Sequence, residues 1–277
     1  MPGTPLDDIA APEGYYFDID TAAQRAMFLP TDHARGPWDA DSCHAGPPTG
    51  VLARAVEQLL PEMRLARITV ELTRPVPMAG FRVESEITRQ GRSVATATAR
   101  IIDTHDRVIV TAHSSHLRPD GPFDLPTPPV PHPDPDATHS APFPLSTSRH
   151  GLPAFMGSTV VRAPDTTGSD RDADGRVTMW MRTVPLLADE APSPFQAICP
   201  LADCGNAIGR NAEPTDVAFM NTDLSVHLHR APVGTWFASR VVSHWSPDGI
   251  GMSDAELFDV HGPVGRAVQT LLVRPAG

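Results

Sequence analysis

The chain repeats itself at a distance of 156 residues, and that feature excludes most architectures. ITVELTRPVP, from Ile68, lies over LSVHLHRAPV, from Leu224, with Arg74 on Arg230; Arg118-Pro119 falls on Arg274-Pro275 at the same distance. Between those anchors no gap is needed. Phe81 meets Phe237, Ala99 meets Ala255, Asp103 meets Asp259, His105 meets His261 and Val108 meets Val264; upstream, Cys43 falls on Cys199. A register held through three segments, with apolar alternation in phase, predicts one supersecondary unit present twice.

In the first copy, GPPTGVLARAVEQLLPE from Gly46 places Val51, Leu52, Ala55, Val56, Leu59 and Leu60 at helical spacing behind two prolines suited to a first turn. Strand-like runs follow at about residues 67–73, 81–102 with a break near Gln90-Gly91, and 108–117. The second copy supplies a helix from Pro194 to Gly209, a strand from Leu224 to Arg230, and turns at Ser246-Pro247-Asp248-Gly249 and His261-Gly262-Pro263. A helix too apolar to face water, followed by a meander of long strands, suits a sheet wrapped around that helix. The predicted class is α+β, a double hot-dog of two tandem units. Their bounds are 1–119 and 151–277, and the connection between them, 120–150, is proline-rich and reads as an extended linker.

Composition narrows the partners. A formal net charge of −11 argues against a nucleic-acid or anionic-membrane surface, so an anionic ligand must meet a local arginine pocket. No apolar run approaches the roughly 20 residues that cross a bilayer, and the acidic start MPGTPLDDIAAPEGYYFDID lacks a basic n-region, so a soluble cytoplasmic protein is expected. Three cysteines without a C-x-x-C pair (Cys43, Cys199, Cys204) read as core thiols in a reducing compartment.

The segments HAGPPTGVLARAVE, LTRPVP, LADCGNAIG, NTDLSVHLHRAP and GRAVQTLLVRP, in that order, resemble the acyl-CoA thioesterase II (TesB-like) family of double hot-dog proteins. The resemblance implies hydrolysis of acyl-CoA, or of an acyl-carrier thioester, without organic cofactor or metal, and association into homodimers or larger homo-oligomers. It also implies that the second unit carries the chemistry: an Asp at the start of its central helix, a hydroxyl residue before the next strand and a Gln on the last strand hold the hydrolytic water. Carried over by position these are Asp203, Asn221 and Gln269, with Asn221 departing from the family's hydroxyl. At the repeat distance they face Pro47, Leu65 and His113, so two of the three polar groups are missing from the first copy, as expected for one working site per pair of units.

A carboxylate near helix N–H groups can orient water or accept its proton, while Asn and Gln can each hold it through donor and acceptor atoms. Read without the resemblance, Asp203 is an N-cap, Asn221 a turn residue and Gln269 a solvent-facing strand residue. Further candidate substrate contacts are His44 and Gly46, at the start of the first helix, and Arg74 and Arg230, at strand ends where coenzyme A phosphates would meet them.

Other constellations read as structural. Asp170-Arg171-Asp172-Ala173-Asp174-Gly175 imitates a calcium loop, but its twelfth position is Met181 rather than Glu, which favours a solvated turn. His227 and His229 share one strand face without a third ligand at a telling spacing. No G-x-S-x-G occurs, which argues against a serine hydrolase of the α/β type. Two alternatives stay open: a hot-dog enoyl-thioester hydratase or dehydratase, although Asp203 has no His partner on its own helix, and a silent acyl-thioester binder.

Overall fold

The structure is a computed structural model describing residues 5–276 apart from 23–24, 146–147, 165–170 and 173. A hairpin of β1 (Phe17–Asp20) and β2 (Met27–Pro30) precedes α1 (Gly46–Leu59), β3 (Arg64–Leu72), β4 (Arg82–Gln90), β5 (Val94–Ile102) and β6 (Val108–Leu117). A short β7 (Thr138–Ser140) leads to β8 (Thr159–Pro164), β9 (Val177–Thr183), α2 (Pro194–Ala202) and α3 (Gly205–Ile208). Then come β10 (Val217–Asn221), β11 (Asp223–Leu228), β12 (Phe237–Trp245), β13 (Ile250–Asp259) and β14 (Gly262–Pro275).

One antiparallel sheet runs β4-β5-β6-β3-β11-β14-β13-β12-β9-β8-β7, with β10 pairing β14 beside β11. Each half curls around its own helix: α1 lies on β3, β4 and β5, while α2 and α3 lie on the strands of the second half. This is the double hot-dog fold. Val51, Leu52, Ala53 and Val56 of α1 are at most 1 % exposed, and each of the larger three contributes about 1.5–3 kcal/mol by leaving water. That burial explains why an apolar helix needs a sheet around it.

The two halves join where β3 meets β11, and the seam carries the duplication on its face. Thr69 and Ser225, equivalent at the repeat distance, sit directly opposite each other, flanked by Ile68↔Val226 and Val70↔Leu224. Their side chains bond across the seam, Ser225 Oγ to Thr69 Oγ1 at 3.0 Å. The local two-fold axis therefore passes between residues that the repeat relates.

Two parts of the 156-residue register need correction. Past the β13–β14 turn the structural distance is 155: Ala99 pairs Ala112 as Ala255 pairs Ala267, and Ile101 pairs Val110 as Leu257 pairs Gly265. The second turn is one residue shorter, so Gln269 corresponds to Ser114, not His113. Both are buried, whereas His113 is exposed. The helices start at Gly46 and Pro194, 148 residues apart, so Cys43 and Cys199 are not equivalent: Cys43 lies in the loop before α1 and Cys199 inside α2. The comparison of Asp203 with Pro47 lapses for the same reason. All three thiols are free; Cys199 and Cys204 are buried and Cys43 half-buried.

The connection is not extended throughout. Residues 118–137 are almost entirely exposed, but Thr138–Ser140 forms the sheet edge and Phe143 and Leu145 are buried in the core. Asp170 and Ala173 of the calcium-like loop lie outside the described residues; Asp172 and Asp174 are ion-paired with Arg240, at 2.9 and 2.7 Å. Among the described residues no helix is long and apolar enough to cross a membrane.

Candidate active site

The second helix is broken where the sequence reading had it continuous. Pro200 lies inside α2 and offers no N–H to continue the ladder, α2 stops at Ala202, and α3 restarts at Gly205. Asp203 is therefore the C-cap of α2, not the start of a helix. The negative end of the α2 dipole opposes a carboxylate there, and the N-terminus of α1, from the other unit, offsets it: the N–H groups of Ala45 and Gly46 act on the Asp203 carboxylate as donors. Pro47 and Pro48 follow without N–H groups, so those two amides are the donors this end of α1 offers the carboxylate.

Such a crossing requires close backbone approach. A Cβ on Gly46 would lie 2.9 Å from Pro200 Cα and 3.0 Å from Pro200 O. Glu57 secures the far end of the helix pair, accepting from the hydroxyl of Ser193 (2.7 Å) and from Gln196 Nε2 (2.7 Å) at the α2 N-terminus.

Around Asp203 the expected residues converge. Asn221, the last residue of β10, donates from Nδ2 to Asp203 Oδ1 at 2.8 Å, and Gln269 of β14 donates from Nε2 to the same oxygen at 3.0 Å. His44 Nδ1 stands 3.1 Å from Oδ2, so the histidine partner absent from the Asp203 helix comes from the first unit. Its ring is stacked on Phe155, with centroids 3.9 Å apart and planes inclined by 10°. Asp203 is 4 % exposed. Burial pushes its carboxyl up to about 7, against the opposing pull of Asn221, the Gly46 N–H, Gln269 and the Ala45 N–H. Burial likewise drives the His44 imidazole down, to about 3, which keeps the ring neutral.

A cavity of about 470 Å³ opens onto this cluster. Asp203, Asn221, His44 and Asn206 reach it, Trp38, Phe143, Phe155 and Phe219 give it apolar walls, and the exposed Arg74, Arg149 and Arg274 stand along it. Arg149 also lies over the Trp38 ring, 5.1 Å from its centroid. Other candidates fall elsewhere. Gln269 is 1 % exposed and sits behind the carboxylate, off the cavity wall. Gly46 serves the helix crossing. Arg230 does not reach the cavity, because its guanidinium is held by both oxygens of the buried Asp259 and by the carbonyls of Gly262 and Pro263.

Sequence reasoning missed Asn206, Arg149, Arg274 and the aromatic wall. An Asn inside the apolar run LADCGNAIG was the available signal for Asn206. Among the described residues no group of three or more His, Cys, Asp or Glu is arranged to hold a metal ion.

Comparison with known proteins gives the family and the fold. The family model for an acyl-CoA thioesterase N-terminal domain matches residues 34–116, and that for an acyl-CoA thioesterase C-terminal domain matches residues 126–273. No curated protein matches the chain. Among solved structures, the chain resembles a hot-dog-fold protein of unknown function from Alicyclobacillus acidocaldarius at 16 % identity and TM-score 0.70, covering 93 % of this chain and 96 % of that one. It also resembles the tesB protein of Mycobacterium avium subs paratuberculosis (16 %, TM-score 0.64) and the acyl-CoA thioesterase II TesB2 of Mycobacterium marinum (16 %, TM-score 0.61), each with 93 % of this chain and 96 % of that one covered. At such identities the likeness speaks for the fold.

Proposed function

Because this chain belongs to the acyl-CoA thioesterase family and is a thioester hydrolase, we propose that Asp203 activates the water that attacks the thioester carbonyl, with Asn221 and Gln269 holding Asp203 in place. The observation that carries the reading is the convergence of three side chains from both units on one buried carboxylate that still reaches the cavity. Asp203 takes a proton from water as the oxygen adds to the carbonyl carbon; the C–S bond then breaks, and the proton passes to the departing thiolate. Asn221 Oδ1 has room to accept the second water hydrogen. Gln269 acts as a positioning residue, since its two N–H groups go to Asp203 Oδ1 and to the Asp203 main-chain oxygen.

This role requires the ionised carboxylate, so the sign of the pH dependence follows. With the Asp203 pKa raised to about 7, kcat/KM for acyl-CoA is expected to rise with pH and reach half its plateau near neutrality. Thiol release measured across that range checks it. A profile flat through neutrality would remove Asp203 as the titrating base.

The acyl chain belongs against the aromatic wall and coenzyme A at the arginines. The Arg74 side chain forms no hydrogen bond or ion pair among the described residues, which leaves its guanidinium available to phosphate. Arg74→Ala is expected to raise KM for acyl-CoA about tenfold with kcat little changed, as for the loss of one charge-assisted bond. The effect should shrink as salt is added. An acyl-N-acetylcysteamine ester, which lacks the nucleotide, should not respond; equal responses of the two esters would place the phosphates elsewhere. An enoyl-CoA arm of the same assay, following loss of the double bond without thiol release, tests the hydratase alternative that the His44–Asp203 pair brings to mind.

A further inference from the structure

Hydrolysis needs a donor for the oxyanion as well as a base, and a census of N–H groups around Asp203 leaves few. Asn221 Nδ2 is spent on Asp203 Oδ1 and on the Asp223 carbonyl (3.3 Å). Gln269 Nε2 is spent twice on Asp203. The amides of Ala45 and Gly46 serve the carboxylate, with the Gly46 N–H also 3.2 Å from His44 Nδ1. The Asn206 N–H donates to Gln269 Oε1 at 2.9 Å.

Among the side-chain amides of this network one donor remains. The acceptor carboxylate turns the Asn221 amine toward itself and therefore turns Asn221 Oδ1 toward Asn206, whose Nδ2 lies 3.5 Å away. The amide orientations are thus set in sequence, each by the one before. Asn206 presents its NH₂ group to the cavity side of the network, with one hydrogen directed at Asn221 and the second unspent. It lines the cavity and is only 9 % exposed, where an unpaired N–H interacts strongly with developing charge.

Resting on the hydrolytic reading above, we infer that Asn206 is a catalytic residue whose Nδ2 donates to the thioester carbonyl oxygen and stabilises the oxyanion formed when water adds. It stands on α3, three residues after the base, and the Gln269 bond to its main chain locks the first turn of that helix. A single positioning network thereby orients base and donor together.

Two substitutions and one spectrum test this. Asn206→Ala removes the donor but keeps the main-chain bond to Gln269; Asn206→Asp keeps the shape but presents oxygens. Both are expected to lower kcat about a hundredfold with KM changed by less than about threefold, the pattern for a bond made in the transition state. The carbonyl stretch of a bound CoA analogue with CH₂ in place of sulfur should lie below its value in water and return toward it in Asn206→Ala. Either variant with a wild-type kcat, or an unchanged carbonyl frequency, overturns the assignment. The hydrolytic reading fails separately, by undiminished thiol release from Asp203→Asn, a result that leaves the Asn206 frequency shift free to stand.

Discussion

Asp203→Asn is expected to lower kcat/KM for acyl-CoA hydrolysis about a thousandfold while the protein stays folded, because the substitution removes the base and preserves the volume. The same variant should change the pH dependence of stability. Burial raises the Asp203 pKa from 3.8 to about 7, so the folded state holds a proton that the unfolded state releases in that interval. The contribution is fully present below the unfolded value and is lost as pH rises through the folded one. The wild type should therefore lose stability relative to Asp203→Asn between about pH 4 and pH 7, by at most about 4 kcal/mol at about 1.4 kcal/mol for each pH unit. Denaturant melts of both proteins across this interval check it; parallel curves would show that the carboxyl is not titrating out of its usual range in the fold. A catalytic group held in a dry pocket at the expense of stability is the trade that active sites commonly make.

Gly46→Ala is expected to damage both activity and stability, for a different reason. Its new methyl would meet the Pro200 backbone at 2.9 to 3.0 Å, and backbone cannot swing aside as a flexible side chain can. The two helices must separate, at about 1–3 kcal/mol for an overpacked contact. Separation also withdraws the Ala45 and Gly46 amides from Asp203 and moves His44 from its place against Oδ2. A lower melting temperature and a fall in kcat of about tenfold or more should appear together. If the variant melts lower yet turns over normally, the crossing serves the fold alone.

Strands were legible where they are long and alternate. The longest strands of the two meanders could be read because they carry an apolar face through nine or ten residues, and their turns hold Gly or Asp. Strands of three or four residues, such as Phe17–Asp20 and Thr138–Ser140, are too short to show a period, and both were missed. The buried Phe143 and Leu145 were lost in a proline-rich setting that favoured a linker. The one-residue slip in the last strand was hidden because Arg118-Pro119 and Arg274-Pro275 align by identity at 156 while the intervening turn is one residue shorter.

For the site, the residue types could be carried over but not their geometry. Pro200 was a signal for a broken helix, and with it for Asp203 at a helix end rather than a start. The partnership of His44 with Asp203 joins residues that the repeat does not relate, on elements brought together only by the helix crossing, so no spacing announces it. Arg74 and Arg230 looked alike because they are equivalent in sequence. What separates them is Asp259, which binds Arg230 and whose counterpart, Asp103, is instead taken by Arg107 at the turn.

The water-activation claim is tested most directly by a single turnover, with enzyme in excess over acyl-CoA, in water labelled with heavy oxygen. If Asp203 deprotonates water, the acid released in that first turnover carries one heavy oxygen and the Asp203 peptide remains unlabelled. Unlabelled acid, with the heavy atom found in the Asp203 carboxylate, would mean that Asp203 attacks the thioester itself, and would contradict the account.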